Sequence, residues 1–458
     1  MREYADLIAE YIEKISFEIL PIRVTEKCEQ LLLDTLGVMI LGSETQWSKI
    51  LLTYFKEIGG KQQAKIINNK IMLPITNAAY LNGTMAHSFD YDDDLNACHI
   101  ASCIIPAALA VGESINSSGK DLIEAISIGY DITTRIAETL DAHHLYTMGF
   151  HPTSVCGAFG AGATASKLMH LSHKQIINTM GIIGSLASGT TEWLSDGSMT
   201  KRFHGGKAAY DGVFAASLAR LGYTGPKRIF EVSSGILKMF KAQRANQNLI
   251  DDFFLRYDIL NSYIKLHACC TCNAPIIDAL IAIRTENKID INNIDNIIIS
   301  IRETCLSLVG EPIEKKRKPK TILDAQMSAP YCAAIALLEG KGFPEQFGKD
   351  KIRNKQIINL MKKVEIISDS SLNVNKYPRP VPAKIKLIMH NEEVIEKQID
   401  YQKGTYLNPL SKDEIENKFL VCVKSKMSEK NIRELISKVY DLKKIKDVGE
   451  IWENLPTG

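Results

Sequence analysis

Val155-Cys-Gly-Ala-Phe-Gly-Ala-Gly-Ala-Thr-Ala-Ser-Lys-Leu-Met169 carries glycine or alanine at seven of its fifteen positions. Its Gly157-Ala-Phe-Gly160-Ala-Gly162 core superficially matches a dinucleotide-binding loop. Such a loop follows a strand and opens a helix. No strand-like run precedes this one. Small residues recurring every three to four positions instead predict a helix that lets neighbouring helices approach closely.

Working outward, the same pattern continues on both sides. Helices are expected over Ile104 to Ser114, Lys120 to Leu140, Gln175 to Ser188 and Ala208 to Leu221. Thr25 is expected to cap another, running through Leu31, Leu32, Leu36 and Val38 to Gly42. Leu7, Ile8, Tyr11, Ile12 and Ile15 oppose Arg2, Glu3, Asp6, Glu10 and Glu13, which predicts an amphipathic helix of the mature protein rather than a signal peptide. A short hairpin is expected at Ala64 to Leu73, turning at Asn68-Asn69. The composition shifts near residue 256. Ile294 to Ile301, Val364 to Ile367, Ala383 to Met389 and Val394 to Ile399 read as strands, the last two as a hairpin. Helices at Ala325 to Glu339 and Asn354 to Lys363 lie between them. After Asn408-Pro409, Ser411 caps a helix with Glu414 in the capping-box position, and the chain stays helical to about Trp452. The reading is mainly α: a helical domain from 1–256 and 405–458, interrupted by an α+β domain at 257–404.

Composition excludes several classes. Fifty-five basic against fifty-three acidic residues leave +2, too little for a nucleic-acid protein working through a broad basic surface. With 45% apolar residues and so little net charge, disorder is not the dominant state. The most apolar run, Ile100 to Val111, is broken by Pro106 and too short to span a membrane. Ten cysteines without a secretory signal suggest a reducing, cytoplasmic setting.

Four polar segments could carry chemistry. In His87-Ser-Phe-Asp90-Tyr-Asp92-Asp93-Asp94-Leu-Asn-Ala-Cys-His99, four carboxylates crowd between two histidines. Like charges that close need partners or a function. A magnesium site through His87 and Asp90, one helical turn apart, lacks the second metal motif that would support it. His151-Pro-Thr153 puts a histidine at a helix N-terminus, where anions are favoured. Thr200-Lys201-Arg202-Phe-His204-Gly205-Gly206 reads as a carboxylate clamp or a surface turn. Lys265-Leu-His267-Ala-Cys269-Cys270-Thr-Cys272-Asn-Ala274 invites zinc, but four ligands in six positions do not make a tetrahedral spacing, so buried free thiols are expected.

In this order, these segments resemble the MmgE/PrpD family, together with Asp34-Thr-Leu-Gly37, Pro106-Ala107-Ala108, Asp324-Ala-Gln-Met-Ser328 and Gly404…Asn408-Pro-Leu-Ser411…Lys418-Phe419. The family includes 2-methylcitrate dehydratase, cis-aconitate decarboxylase and iminodisuccinate epimerase. The resemblance implies a large all-helical domain with a smaller α+β lid, a homodimer, no metal and no organic cofactor. It implies a small carboxylate substrate, with neither nucleic acid nor membrane as partner. It places catalytic roles on Asp90, His99, His151 and Lys201. Asp90 and His151 would move protons while Lys201 and His99 hold carboxylates, with Thr200 and Arg202 nearby. Two positions depart from the decarboxylase pattern: Asp94 stands where those relatives have Thr, and Ala274 where they have a lid His. His267 and Cys272 are close enough in sequence to substitute. The expected activity is a cofactor-independent lyase of a hydroxy-di- or tricarboxylate, 2-methylcitrate-dehydratase-like in the first instance. The alternatives are a cis-aconitate-like decarboxylase, an epimerase or isomerase on the same scaffold, and a catalytically silent metabolite binder.

Overall fold

The computed structural model describes residues 3–242, 253–374, 378 and 380–457. Arg2, expected on the first helix, lies outside them. Helices of eight or more residues are α1 (Tyr4–Lys14), α2 (Ile22–Gly42), α3 (Gln46–Ile58), α4 (Ile75–Ala86), α5 (Ala101–Ser114), α6 (Gly119–Leu140), α7 (Pro152–Leu168), α8 (His173–Ile183), α9 (Thr200–Arg220), α10 (Ala274–Glu286), α11 (Ala329–Glu339), α12 (Lys355–Lys362), α13 (Lys412–Val423) and α14 (Glu429–Tyr440). Strands β1 (Ala64–Lys65) and β2 (Met72–Leu73) form the short hairpin.

Helix α7, the opening stretch, lies at the centre of the helical portion, against α5, α6, α8 and α9. Its glycines act as the small-residue reading expects. A Cβ at Gly160 would run into Thr133 and the Gly129 carbonyl of α6. A dinucleotide loop is thereby excluded for this segment: it is helix throughout. Helix α13 returns from the far end of the chain to pack along α2. Its buried Lys418 ion-pairs with the buried Asp34 at 2.6 Å and donates to the Tyr91 carbonyl at 2.7 Å.

The smaller α+β part carries β3 (Ile294–Ile301), β4 (Val364–Ser368), β5 (Ala383–Met389) and β6 (Val394–Ile399) in the order β4-β3-β5-β6. β3 runs parallel to β4 and antiparallel to β5, and β5–β6 is the expected hairpin. Strand β5 alternates buried and half-buried residues, the pattern of a sheet with one covered face. Helix α10 covers β5 and β6.

Several boundaries differ from expectation: the helix expected over Gln175 to Ser188 spans His173–Ile183, and α5 begins at Ala101 rather than Ile104. Thr25 does not cap α2: the helix starts three residues earlier, after Pro21, whose fixed φ suits the entry. Ala325 to Glu339 is two helices, because Ser328 breaks out to cap α11 through the Tyr331 amide. Helix α9 starts at Thr200, not Ala208. Gly205 and Gly206 suggested a turn, but they are helical, and their missing side chains make room for Ser102 and the Tyr80 carbonyl.

Candidate active site

Helix α4 ends at Ala86, and the chain then crosses to α5 through the acidic segment, with Asp90 in a left-handed conformation (φ 53°). His87 and Asp90 therefore do not share a helix face, which removes the geometry of the magnesium reading. The segment is not a solvated loop. His87, Asp90, Asp92 and Asp93 are each at most 1% exposed.

Each of these buried carboxylates has its own partners. Asp90 Oδ2 meets Lys201 Nζ at 2.8 Å and Asp90 Oδ1 meets Lys265 Nζ at 2.6 Å, with His99 Nε2 at 3.4 Å from the same oxygen. Burial opposes ionisation of Asp90, but Lys201, Lys265 and His99 outweigh it and hold the carboxyl well below the usual range. Burial pulls the Lys201 ammonium below its ordinary pKa, against the attraction of Asp90. Asp92 bridges two imidazoles: His87 Nδ1 lies 2.8 Å from Oδ2 and His99 Nδ1 3.2 Å from Oδ1. Burial pushes His87 down to about 3, so it is neutral. Asp93 accepts from the Tyr130 hydroxyl at 2.6 Å and the Ala101 amide at 2.7 Å. Burial still raises it to about 8, so it is mostly protonated at neutral pH.

Asp90, His99 and Lys201 border a cavity of about 130 Å³. Asp90, Asp94, His99 and Lys201 line it from the helical part. Thr271, Cys272 and Arg302 line it from the α+β part, and Trp193 and several tyrosines complete the lining. Of the nine residues expected at the site, Asp90, Asp94, His99, Lys201 and Cys272 are brought together around this cavity.

The other four are placed elsewhere. His151 N-caps α7 and is fully buried behind the wall, its ring 6.5 Å from that of His99 and 5.6 Å from that of Trp193. It shares a 2.9 Å hydrogen bond with His204, and burial and the neighbouring His204 keep it well below the ordinary histidine pKa. Arg202 donates to Gln326 at 2.6 Å, and Gln326 in turn donates to the carbonyls of Phe89 and Ala268. Arg202 thus braces the acidic segment rather than facing the cavity. Thr200 is exposed at the first turn of α9, because the helix begins there. His267 is tied to Asp278 at 2.8 Å, one helix turn into α10.

Cys272 reaches the wall, but the expectation of a free thiol is corrected: it is disulfide-bonded to Cys305, so it carries no proton. Neither His267, turned to Asp278, nor the disulfide-bonded Cys272 stands in for the histidine that the resemblance expects where Ala274 is. Ala274 is buried at the start of α10.

Sequence reasoning missed Lys265 as a site residue. It is 1% exposed, and its only signal was a lysine beside an apolar, cysteine-rich run. Arg302 was missed as well. It directly follows β3, and donates to the Pro380 carbonyl at 3.0 Å. Three donor atoms of His87, Asp92 and His99 lie within 4.8 Å of one another, the spacing a metal could use. The three side chains also contact one another as described above.

This combination, a helical body joined to a small α+β part over a buried Asp–Lys–His cavity, defines a family. The chain matches the MmgE/PrpD N-terminal domain over residues 6–248 and the MmgE/PrpD C-terminal domain over residues 267–442, and it belongs to that family. It is similar to a cis-aconitate decarboxylase-like protein of Aspergillus oryzae, 26% identical over 94% of this chain and 93% of that protein. The cis-aconitate decarboxylase of Homo sapiens is 27% identical, over 93% and 89%. That of Aspergillus terreus is 22% identical, over 98% and 95%. No helix of the described residues is long and apolar enough to cross a membrane.

Proposed function

We propose that the protein is a lyase of a small di- or tricarboxylate, working by general acid–base chemistry in the Asp90–Lys201–His99 cavity. The observation that carries this reading is the buried, doubly ion-paired Asp90 beside cavity-lining Lys201 and His99. Lys201 and Arg302 supply the positive charge that a carboxylate needs. Among lyase reactions, decarboxylation is favoured over dehydration, because the similar proteins named above are cis-aconitate decarboxylases.

In that reaction the bond from carbon to the departing carboxylate breaks and CO2 leaves. The electron pair stays on the remaining acid as enolate-type charge, next to Lys201. A proton then returns to carbon. His99 is the group we assign to this transfer, since it faces the cavity while Asp92 holds its Nδ1. Asp90, held ionised, is a fixed counter-charge that orients Lys201 and His99, rather than the proton carrier expected from sequence. His151, bonded to His204 behind the wall, supports the imidazole cluster.

The test incubates purified protein separately with cis-aconitate, citrate and 2-methylcitrate. Release of CO2 from at least one of the three acids is the expected result. Formation of a new double bond without CO2 would replace decarboxylation by dehydration. No turnover and no binding of any of the three would overturn the reading.

The homodimer remains part of the proposal. Ile50, Tyr54 and Ile58, one helical turn apart, expose 53%, 53% and 54% of their surface along α3. An apolar stripe of this kind suits contact with a second subunit.

A further inference from the structure

Two carboxylates face the cavity, and their surroundings differ. Asp90 is matched by two ammonium groups. Asp94, four residues on, is half-buried and has no ion-pair partner among the described residues. It is nevertheless held firmly. Its amide and carbonyl form a bridge with Tyr263, 2.9 Å in each direction, and the Thr271 hydroxyl donates to Oδ2 at 2.5 Å. Its other carboxylate oxygen has no protein donor among the described residues. Asp94 thus places a fixed acceptor in a cavity that Lys201 and Arg302 also line, so a ligand meets cations suited to its carboxylates and an acceptor that asks for a donor.

We infer that Asp94 is a specificity-determining residue: it accepts a hydrogen bond from a hydroxyl or ammonium group of the substrate, and so selects a donor-bearing carboxylate over the same acid without the donor. This inference rests on the small-polycarboxylate reading above and narrows it. A carboxylate end of the substrate points toward Lys201 and Arg302 and the donor toward Asp94. A third carboxylate beside Asp94 would meet like charge. A site with a buried acceptor discriminates strongly against ligands that leave it unpaired.

Matched pairs of ligands test this by calorimetric titration of the full-length protein. Citrate is compared with propane-1,2,3-tricarboxylate, and malate and aspartate are each compared with succinate. The expected result is a preference of about tenfold or more for the donor-bearing member of at least one pair. That preference falls to within about twofold in Asp94→Ala. A malate preference identifies the donor as hydroxyl, an aspartate preference as ammonium, and either supports the assignment. Binding of both members of every pair within about twofold in the unaltered protein overturns the assignment and leaves the polycarboxylate reading intact. A preference that survives in Asp94→Ala also overturns it. Absence of binding by all five ligands overturns the polycarboxylate reading itself. Where Asp94→Ala does not fold, Asp94→Val, whose β-branched side chain suits the bridge to Tyr263, makes the same comparison with the same outcomes.

Discussion

The acidic segment of the helical body and the β5–β6 hairpin of the smaller part use the same charged residue types in opposite ways. On the hairpin, Lys384 and Glu396 pair at 3.3 Å, and Lys397 reaches Glu286 of α10 at 2.6 Å, all at least 31% exposed. In the acidic segment, Asp90, Lys201 and Lys265 are at most 3% exposed. Water screens the first set, so its contribution to stability is small. The second set has left water, so each charge depends on its partners. The net charge of +2 conceals this division. What distinguishes the two regions is how much charge the fold has had to desolvate, and the desolvated region is the one bordering the cavity.

The comparison breaks most visibly at Asp90. Asp90→Ala leaves two buried ammonium groups without a counter-charge and is expected to cost about 3–5 kcal/mol. Denaturant titration reads this, and a loss below about 1 kcal/mol would show that the lysines are solvated after all. Lys418→Met comes next. It strips the partner from Asp34 and the donor from the Tyr91 carbonyl. Burial already raises Asp34, so its carboxyl can take up a proton in the variant, which limits the cost to about 2–3 kcal/mol. An unchanged midpoint would remove Lys418 as the brace of the acidic segment.

A third effect is a matter of pH. Asp93 has a folded pKa of about 8, above the roughly 3.9 of an unfolded chain. Between these values the folded state binds the extra proton, so this residue's contribution to stability falls as pH rises from about 4 to about 8. Asp93→Asn keeps the Tyr130 contact without that titration. Its stability is expected to change less than the parent's between pH 5 and pH 8; an identical slope would exclude Asp93 as the source. The smallest effect belongs to the hairpin. Lys397→Ala is expected to cost no more than about 1 kcal/mol and to leave turnover unchanged. A larger loss would erase the contrast from its exposed side.

Much of this architecture was legible in the sequence. Strands β3, β5 and β6 fall on their expected residues because β-branched runs bounded by polar residues have few alternatives. The small-residue helices were legible because close approach demands them. Glycine was harder to read at α9: Gly205 and Gly206 signal a turn locally, but tertiary packing against Ser102 and Tyr80 puts them in a helix. Charge crowding and family resemblance point to Asp90, His99 and Lys201, and all three line the cavity. Arg202 was misassigned because its Gln326 partner lies 124 residues away. Lys265 was missed for the same kind of reason: its meeting with Asp90 spans 175 residues. The Cys272–Cys305 pair could not be chosen from ten cysteines without coordinates.

The most direct test of the central claim follows a mixture of small di- and tricarboxylates by NMR, with the unaltered protein and with Lys201→Ala side by side. The account expects the unaltered protein to consume at least one acid and the variant to lose at least about a hundredfold in rate, as removal of a charge-stabilising group does. Equal consumption by both proteins would contradict it, because the cavity bordered by Asp90 and Lys201 would then not be where the chemistry occurs.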